Sequence, residues 1–237
     1  MKNSDVLFED LGRMGYQQAW DYQEVLLQNN VRIKKEHGMD NTAGEFTTST
    51  TNHLLFVEHP PVYTIGKSGK MEHVLISEAD RIASDIEFFR TNRGGDITFH
   101  GPGQLVGYPV LDLEKFYTDI GRYLRELEEV VIITLKEFGI VGGRSAGETG
   151  VWLDAGVSGR ERKICAMGVR CSRWITMHGL ALNVNTDLSY FDHIIPCGIQ
   201  NKKVTSMKAE LGMDVEMAEV KEVLRHSFER VFNASLL

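Results

Sequence analysis

Between Asp119 and Phe138 the apolar residues Ile120, Tyr123, Leu124, Leu127, Val131, Leu135 and Phe138, with Thr134, recur at i, i+3 and i+4. That spacing predicts an amphipathic helix, with Asp119 in its first turn, Lys136 in its last and Gly139 able to close it. A second helix is predicted from Tyr16 to about Glu36, with Ala19, Tyr22, Leu26 and Ile33 near one face. A third is predicted from about Val215 to Phe232, capped by Asp214, and Ser77 to Ser84 suits a short one. Runs of apolar and β-branched residues predict strands at Asp5 to Leu11, Leu54 to Val57, Val62 to Ile65, Glu87 to Thr91, Gln104 to Val110, Gly150 to Leu153, Lys163 to Val169 and Ile175 to Val184. Residues 38–52 are polar and small, and read as a mobile loop. Helices at both ends and in the middle, with strands between, predict an α/β chain of α+β character with a mixed sheet. No repeat or linker divides it, so a single domain over residues 1–237 is expected.

Composition narrows the partners. A net charge of -7 argues against general nucleic-acid binding. The longest clean apolar runs, such as Val130 to Ile133, are far too short to span a bilayer, and the first ten residues lack the apolar core of a signal peptide. Three cysteines with no CxxC pair fit a reducing compartment, so a cytoplasmic location is expected, with neither membrane nor nucleic acid as partner.

Several motifs fail on context. Gly143 to Gly147 reads GRSAG, but a nucleophile elbow needs a strand before its serine and a helix after it, and here the order is reversed. Ile65 to Ser68 reads IGKS, yet Pro61 stands where a P-loop needs glycine. Cys165, Cys171, Cys197, His178 and His193 match no zinc spacing, so no metal is expected. Three features remain. RKICAMGVR, Arg162 to Arg170, sets Lys163 into a strand-like run; a lysine there could equally snorkel from a strand edge. IIPCGI, Ile194 to Ile199, leaves Cys197 between a rigid Pro196 and a bare Gly198, a nucleophile's setting or simply a turn. RGGDITFHGPGQLVGYP, Arg93 to Pro109, sets bare backbone around His100, as a substrate loop or a tight turn would.

Taken together, RGGDITFHGPGQLVGYPVLDL, KICAMGVR, MHGLALNV and IIPCGI follow one another as they do in the lipoyl(octanoyl) transferases, also called lipoate-protein ligase B. PPVYTIGKSG and GETGVWLD also resemble segments of that family, and the likeness runs from about Leu54 to Ser206. The resemblance implies a fold similar to the catalytic domains of biotin protein ligase and lipoate-protein ligase. It implies transfer of an octanoyl group from octanoyl-acyl carrier protein to a lysine of a lipoyl domain, in the glycine cleavage H protein or the E2 subunits of 2-oxoacid dehydrogenases, with no cofactor. Cys197 falls where the family has its acyl-carrying cysteine and Lys163 where it has the paired lysine. Substrate-binding positions fall on Arg93, Gly94, Gly95, Asp96, Ile97, Thr98, Phe99 and His100, on Ala166, Met167 and Gly168, and on His178, Gly179, Leu180 and Ala181. Cys165 departs from the usual alanine of the family and is a second thiol that a strand would set on the face of Lys163.

The residue types suit acyl transfer. A thiolate is both nucleophile and leaving group; an unperturbed cysteine, with pKa about 8.5, is only a few per cent thiolate at pH 7, and a neighbouring ammonium favours the anion. Backbone N–H groups near Gly94-Gly95 or Ala166 to Gly168 could hold the oxyanion. His100 and His178 could wall the site or serve as base. Arg144, Arg160, Arg162, Lys163, Arg170 and Arg173 outnumber Glu148, Asp154 and Glu161 over residues 142–173, a candidate basic surface for an acidic carrier protein. Competing readings are an ATP-dependent ligase on the same fold, which needs no cysteine, and an inactive carrier-binding module. Related amidotransferases that draw on the H protein also employ a cysteine.

Overall fold

A computed structural model of the chain describes residues 4–39, 49–195 and 203–237. Its main sheet is assembled from β1 (Ser4–Arg13), β2 (His53–Glu58), β6 (Gln104–Val110), β7 (Val151–Leu153), β8 (Arg162–Ser172), β9 (Ile175–Asn183), β10 (Lys203–Val204) and β11 (Ala234–Leu236). The order is β10-β8-β9-β6-β2-β1-β11, with β7 also paired to β8. Pairings β8–β9, β9–β6, β6–β2 and β7–β8 are antiparallel, while β10–β8, β2–β1 and β1–β11 are parallel, so the sheet is mixed as expected. A small second sheet joins β3 (Val62–Ile65) to β4 (Glu87–Arg90) and β5 (Ile97–His100).

Every residue of β6 and β9 is buried, because helices cover both faces of the main sheet. On one face α3 (Ile120–Glu137) and α5 (Met217–Phe232) press Tyr123, Leu127, Val131, Leu224 and Phe228 against Leu54, Phe56, Leu105, Leu180 and Leu182. The opposite face takes α1 (Tyr16–Met39), which meets Leu55, Val57, Val106 and Tyr108 through Ala19, and Val110, Ile175 and Met177 through Leu27 and Val31. The small sheet keeps its own core of Tyr63, Ile65, Ile97 and Phe99, closed by Phe191 and Ile194. The α2 (Glu78–Ala83) and α4 (Met207–Leu211) helices are short, each capped by a serine, Ser77 and Ser206.

Four expectations need correction. The glycine-rich stretch is not loop throughout: Ile97–His100 forms β5, paired antiparallel to β3. The buried face of α1 carries Tyr16, Ala19, Gln23, Leu27, Asn30 and Val31, and leaves Tyr22, Leu26 and Ile33 half-buried. Two of those positions are polar, so an apolar stripe could not reveal the face. Gln23 accepts the backbone N–H of His178 at 2.8 Å, and Asn30 exchanges two hydrogen bonds with the Thr51 backbone. Asp214 is not the cap of α5, whose N-cap is Glu216; it pairs with Lys208 at 2.7 Å. Of the expected 38–52 loop, residues 40–48 lie outside the described residues. Residues 38–39 continue α1, and Thr50 is buried, its hydroxyl donating to Asp112 at 2.8 Å.

Candidate functional site

Where the small sheet leans on β8 and β9, a cavity of about 680 Å³ opens, within the usual 300–1,000 Å³ of small-molecule sites. Two glycines make the joint possible. The Gly94 N–H donates to the Val169 carbonyl at 2.9 Å, and a Cβ on Gly168 would sit 2.7 Å from the Gly94 oxygen. Any side chain at Gly168 would force the Arg93–His100 segment off the sheet.

The lining holds most of the residues singled out from the sequence. Arg93, Gly94, Gly95, Asp96, Ile97, Thr98 and His100 come from the glycine-rich stretch; Lys163, Ala166, Met167 and Gly168 from β8; His178, Gly179, Leu180 and Ala181 from β9. Phe99 is not among the lining residues; its ring packs in the small core and stacks on Tyr190 at 4.4 Å. Cys197 lies outside the described residues. The described chain stops at Ile195, whose N–H donates to the His73 carbonyl at 2.9 Å, and resumes at Lys203, which pairs with Arg162.

Sequence reasoning missed Tyr16, Val106, Tyr108, Ile120, Leu124 and the Gly147–Thr149 segment as lining. Ile120 and Leu124 lie on the apolar stripe of α3, and nothing in a stripe separates residues that fill a core from residues that wall a cavity.

One side of the cavity is aromatic, with Arg93 as its buried charge. Tyr16 stacks on His100 at 5.9 Å, and His59 lies against both. The His100 Nδ1–H donates to Gln104 Oε1 at 2.8 Å, while Gln104 Nε2 donates to Asn183 Oδ1 and the Phe99 carbonyl, an arrangement that fixes the tautomer. Burial drives the pKa of His100 well below the ordinary value, with His59 adding to the effect. Burial likewise lowers His59 to about 4 and His178 to about 3. His178 sits in left-handed backbone, φ 58°, with Nε2 2.8 Å from Asn92 Oδ1. All three rings are neutral near pH 7. Arg93 is buried beside them and donates to the Thr64 carbonyl at 2.6 Å and to the Gly94 carbonyl at 3.0 Å, fixing the turn that carries Gly94.

The other side carries charge. Lys163 lies where β8 is flanked by β7 and β10, opposite Trp152 and Val204. Its Nζ sits 4.5 Å from the centre of the Trp152 ring, a cation–π contact. Cys165, two residues on, is wholly buried in the main core and is not part of the lining. Burial pushes its thiol up to about 12, outweighing the Lys163 charge, so it holds its proton at neutral pH. The Ser145 hydroxyl donates to Glu148 at 2.7 Å between α3 and β7, not in an elbow.

The basic stretch over residues 142–173 is largely neutralised by its own Asp154 and by carboxylates from elsewhere in the chain. Arg144 pairs with Glu128 and Glu129, Arg162 with Glu210 and Asp154, Arg160 with Asp154, and Arg170 with Glu24. The expected excess of positive charge is therefore not presented as an open basic face. Among the described residues no cluster of three or more potential ligands could hold a metal, and no helix is long and apolar enough to cross a membrane.

Comparisons with known proteins bear on the family and the fold. The family described as lipoyl protein ligase A/B catalytic domain matches residues 15–229. An octanoyltransferase from Christiangramia forsetii is 54% identical over 235 residues, covering 99% of this chain and 98% of its own. One from Flavobacterium psychrophilum is 54% identical over 236 residues, covering 99% and 100%. Among solved structures, a bipartite lipoate protein ligase from Thermoplasma acidophilum, described with its E2 lipoyl domain, superposes with a TM-score of 0.71 at 17% identity, over 99% of this chain and 86% of that one. A lipoate-protein ligase A bound with ATP superposes at 0.66 and 16% identity, over 100% and 88%. At such identities these structures speak for the fold.

Proposed function

The chain belongs to the lipoyl protein ligase A/B catalytic-domain family and is an acyltransferase of the octanoyltransferase group active in lipoylation; from that premise we propose that Cys197 and Lys163 together carry octanoyl from acyl carrier protein to a lipoyl-domain lysine. The Cys197 thiolate attacks the donor thioester carbonyl. Its new C–S bond forms as the donor C–S bond breaks, and the departing phosphopantetheine sulfur takes a proton from the Lys163 ammonium. The acceptor amine then attacks the Cys197 thioester. A C–N bond forms, the thiolate leaves, and the neutral Lys163 amine takes the proton lost by the nucleophile. The pair returns to its starting state, and no ATP is consumed.

The observation that carries this reading is Lys163 Nζ, held over Trp152 at the wall of a cavity that also presents the Gly94-Gly95 and Ala166–Gly168 backbone and the apolar side chains of Val106, Ile120, Leu124 and Leu180. Further support comes from the ends of the connection bearing Cys197. Ile195 is tied to His73, which binds the lining residue Asp96 at 2.5 Å, and Val204 pairs with Lys163 itself. Neutral His100 and His178 make poor bases at pH 7 and act instead as wall and backbone supports. Since the Gly94 N–H is engaged by Val169, the oxyanion is left to Gly95 or to the Ala166–Gly168 backbone. Acceptors in this reading are lipoyl domains of the H protein and E2 subunits.

Lys163→Ala should slow both half-reactions by about 10²–10⁴-fold in single-turnover transfer from octanoyl-acyl carrier protein to a lipoyl domain. Transfer at the unsubstituted rate, or turnover that requires ATP and free octanoate, would overturn the proposal.

A further inference from the structure

Glu128 is the one charged side chain of α3 with no exposure, and the mechanism above gives it nothing to do. Burying a carboxylate is costly, and an apolar residue of similar size is often as stabilising as a buried ion pair. Its partners suggest why it is there. Oε1 accepts the backbone N–H of Gly150 at 2.9 Å. Oε2 lies 2.8 Å from Arg125 Nη1 and 3.1 Å from Arg144 Nε. Arg144 also donates to the Arg125 carbonyl and to Glu129. Residues 144 and 150 bracket the Gly147–Thr149 segment that lines the cavity, so one carboxylate ties both ends of that wall to α3.

The same contact reaches Lys163. Gly150 holds φ 119°, and a Cβ there would meet the Cys165 carbonyl at 2.6 Å and the Lys163 Cε at 3.5 Å. Gly150 is thus packed directly on the lysine-bearing part of β8. It directly precedes β7, whose Trp152 lies under Lys163 Nζ. On α3, Ile120 and Leu124 line the cavity, and Glu128 follows one turn later on the same face. We propose that Glu128 is a positioning residue for acyl transfer: through Gly150 and Arg144 it sets the Gly147–Thr149 wall and the Trp152–Lys163 pair against the apolar wall of α3. This rests on the reading that Lys163 is the proton carrier.

The test compares Glu128→Ala, Glu128→Gln and Arg144→Gln with the unsubstituted enzyme and Lys163→Ala, each assayed at least 15 °C below its own Tm. Octanoyl and decanoyl thioesters of acyl carrier protein are the donors. Glu128→Ala should lower kcat for octanoyl transfer by about 10–100-fold and raise the decanoyl-to-octanoyl ratio of kcat/KM at least about fivefold, because the wall and lysine are released together. Glu128→Gln keeps an acceptor for the Gly150 N–H and should recover most of both. Arg144→Gln, a change at a partly exposed residue, should move both in the same direction by a smaller factor, and it decides the matter if Glu128→Ala does not fold. A folded Glu128→Ala with unchanged kcat and ratio, or an Arg144→Gln that alters Tm alone, would overturn the inference. If instead Lys163→Ala keeps full activity, the failure belongs to the underlying reading of the reaction.

Discussion

The two walls of the cavity solve the problem of buried ionisable groups in opposite ways. On the α1 side, His59, His100 and His178 are kept neutral chiefly by burial, with the buried Arg93 guanidinium pressing His100 and His178 further the same way, and their hydrogen bonds run to Met14, Gln104 and Asn92 rather than to carboxylates. On the β7–β8 side charge is kept and paired: Glu128 with Arg125 and Arg144, Arg162 with Glu210 and Asp154, Lys163 with the face of Trp152. The difference teaches where a proton can move. A ring whose pKa lies near 3, as at His178, is a poor base at pH 7. In the proposed reaction the first wall shapes the acyl site and the second supplies the proton carrier.

The largest effect expected from breaking that contrast comes from acid. The unfolded chain protonates its histidines below about pH 6.5, while folded His59 and His178 resist until about 4 and 3. The unfolded state therefore binds more protons across that window, and stability falls as pH falls. The loss approaches about 1.4 kcal/mol per pH unit for each histidine. Urea unfolding between pH 7 and 4.5 should show this slope, and His59→Gln should make it shallower; a flat profile would mean the rings are not neutral by burial. Next in size is Gly179→Ala. Its Cβ would lie 2.2 Å from the Gly107 carbonyl, and such overpacking should lower stability by about 3 kcal/mol, read as a drop in Tm. On the charged wall, Arg162→Gln removes a partly exposed pair with Glu210 and Asp154 and should cost about 1 kcal/mol. Because those carboxylates occupy Arg162, KM for the carrier-protein donor should change less than about twofold; a large rise would restore the basic docking face. Smallest is Cys165→Ala. With the thiol held protonated, transfer should stay within about twofold, at a stability loss of about 1 kcal/mol.

Long periodic elements were legible before the structure. The stripe from Ile120 to Leu135 gave α3 nearly to the residue, and strand-like runs located β2, β3, β6, β8 and β9. Short elements were not: β5 hides among glycines, and β11 spans only Ala234–Leu236, paired parallel to β1 from the far end of the chain. The candidate site was readable because its chemistry depends on unusual residue strings rather than on periodicity. What escaped was the helix side of the cavity, since Tyr16, Ile120 and Leu124 look like any core positions until the fold shows what they face. Likewise the isolated count of positive charge over residues 142–173 could not foresee Glu24, Glu128, Glu129 and Glu210 arriving from distant segments.

The claim on which the rest depends is that acyl transfer runs through sulfur at Cys197. Intact-mass spectrometry after incubation with octanoyl-acyl carrier protein, followed by peptide mapping, tests it directly. The account predicts a single octanoyl adduct on Cys197, cleaved by hydroxylamine and replaced in Cys197→Ser by no thioester at all. An adduct on Cys165 or Cys171, or full transfer to a lipoyl domain by Cys197→Ala with no covalent species, would contradict it.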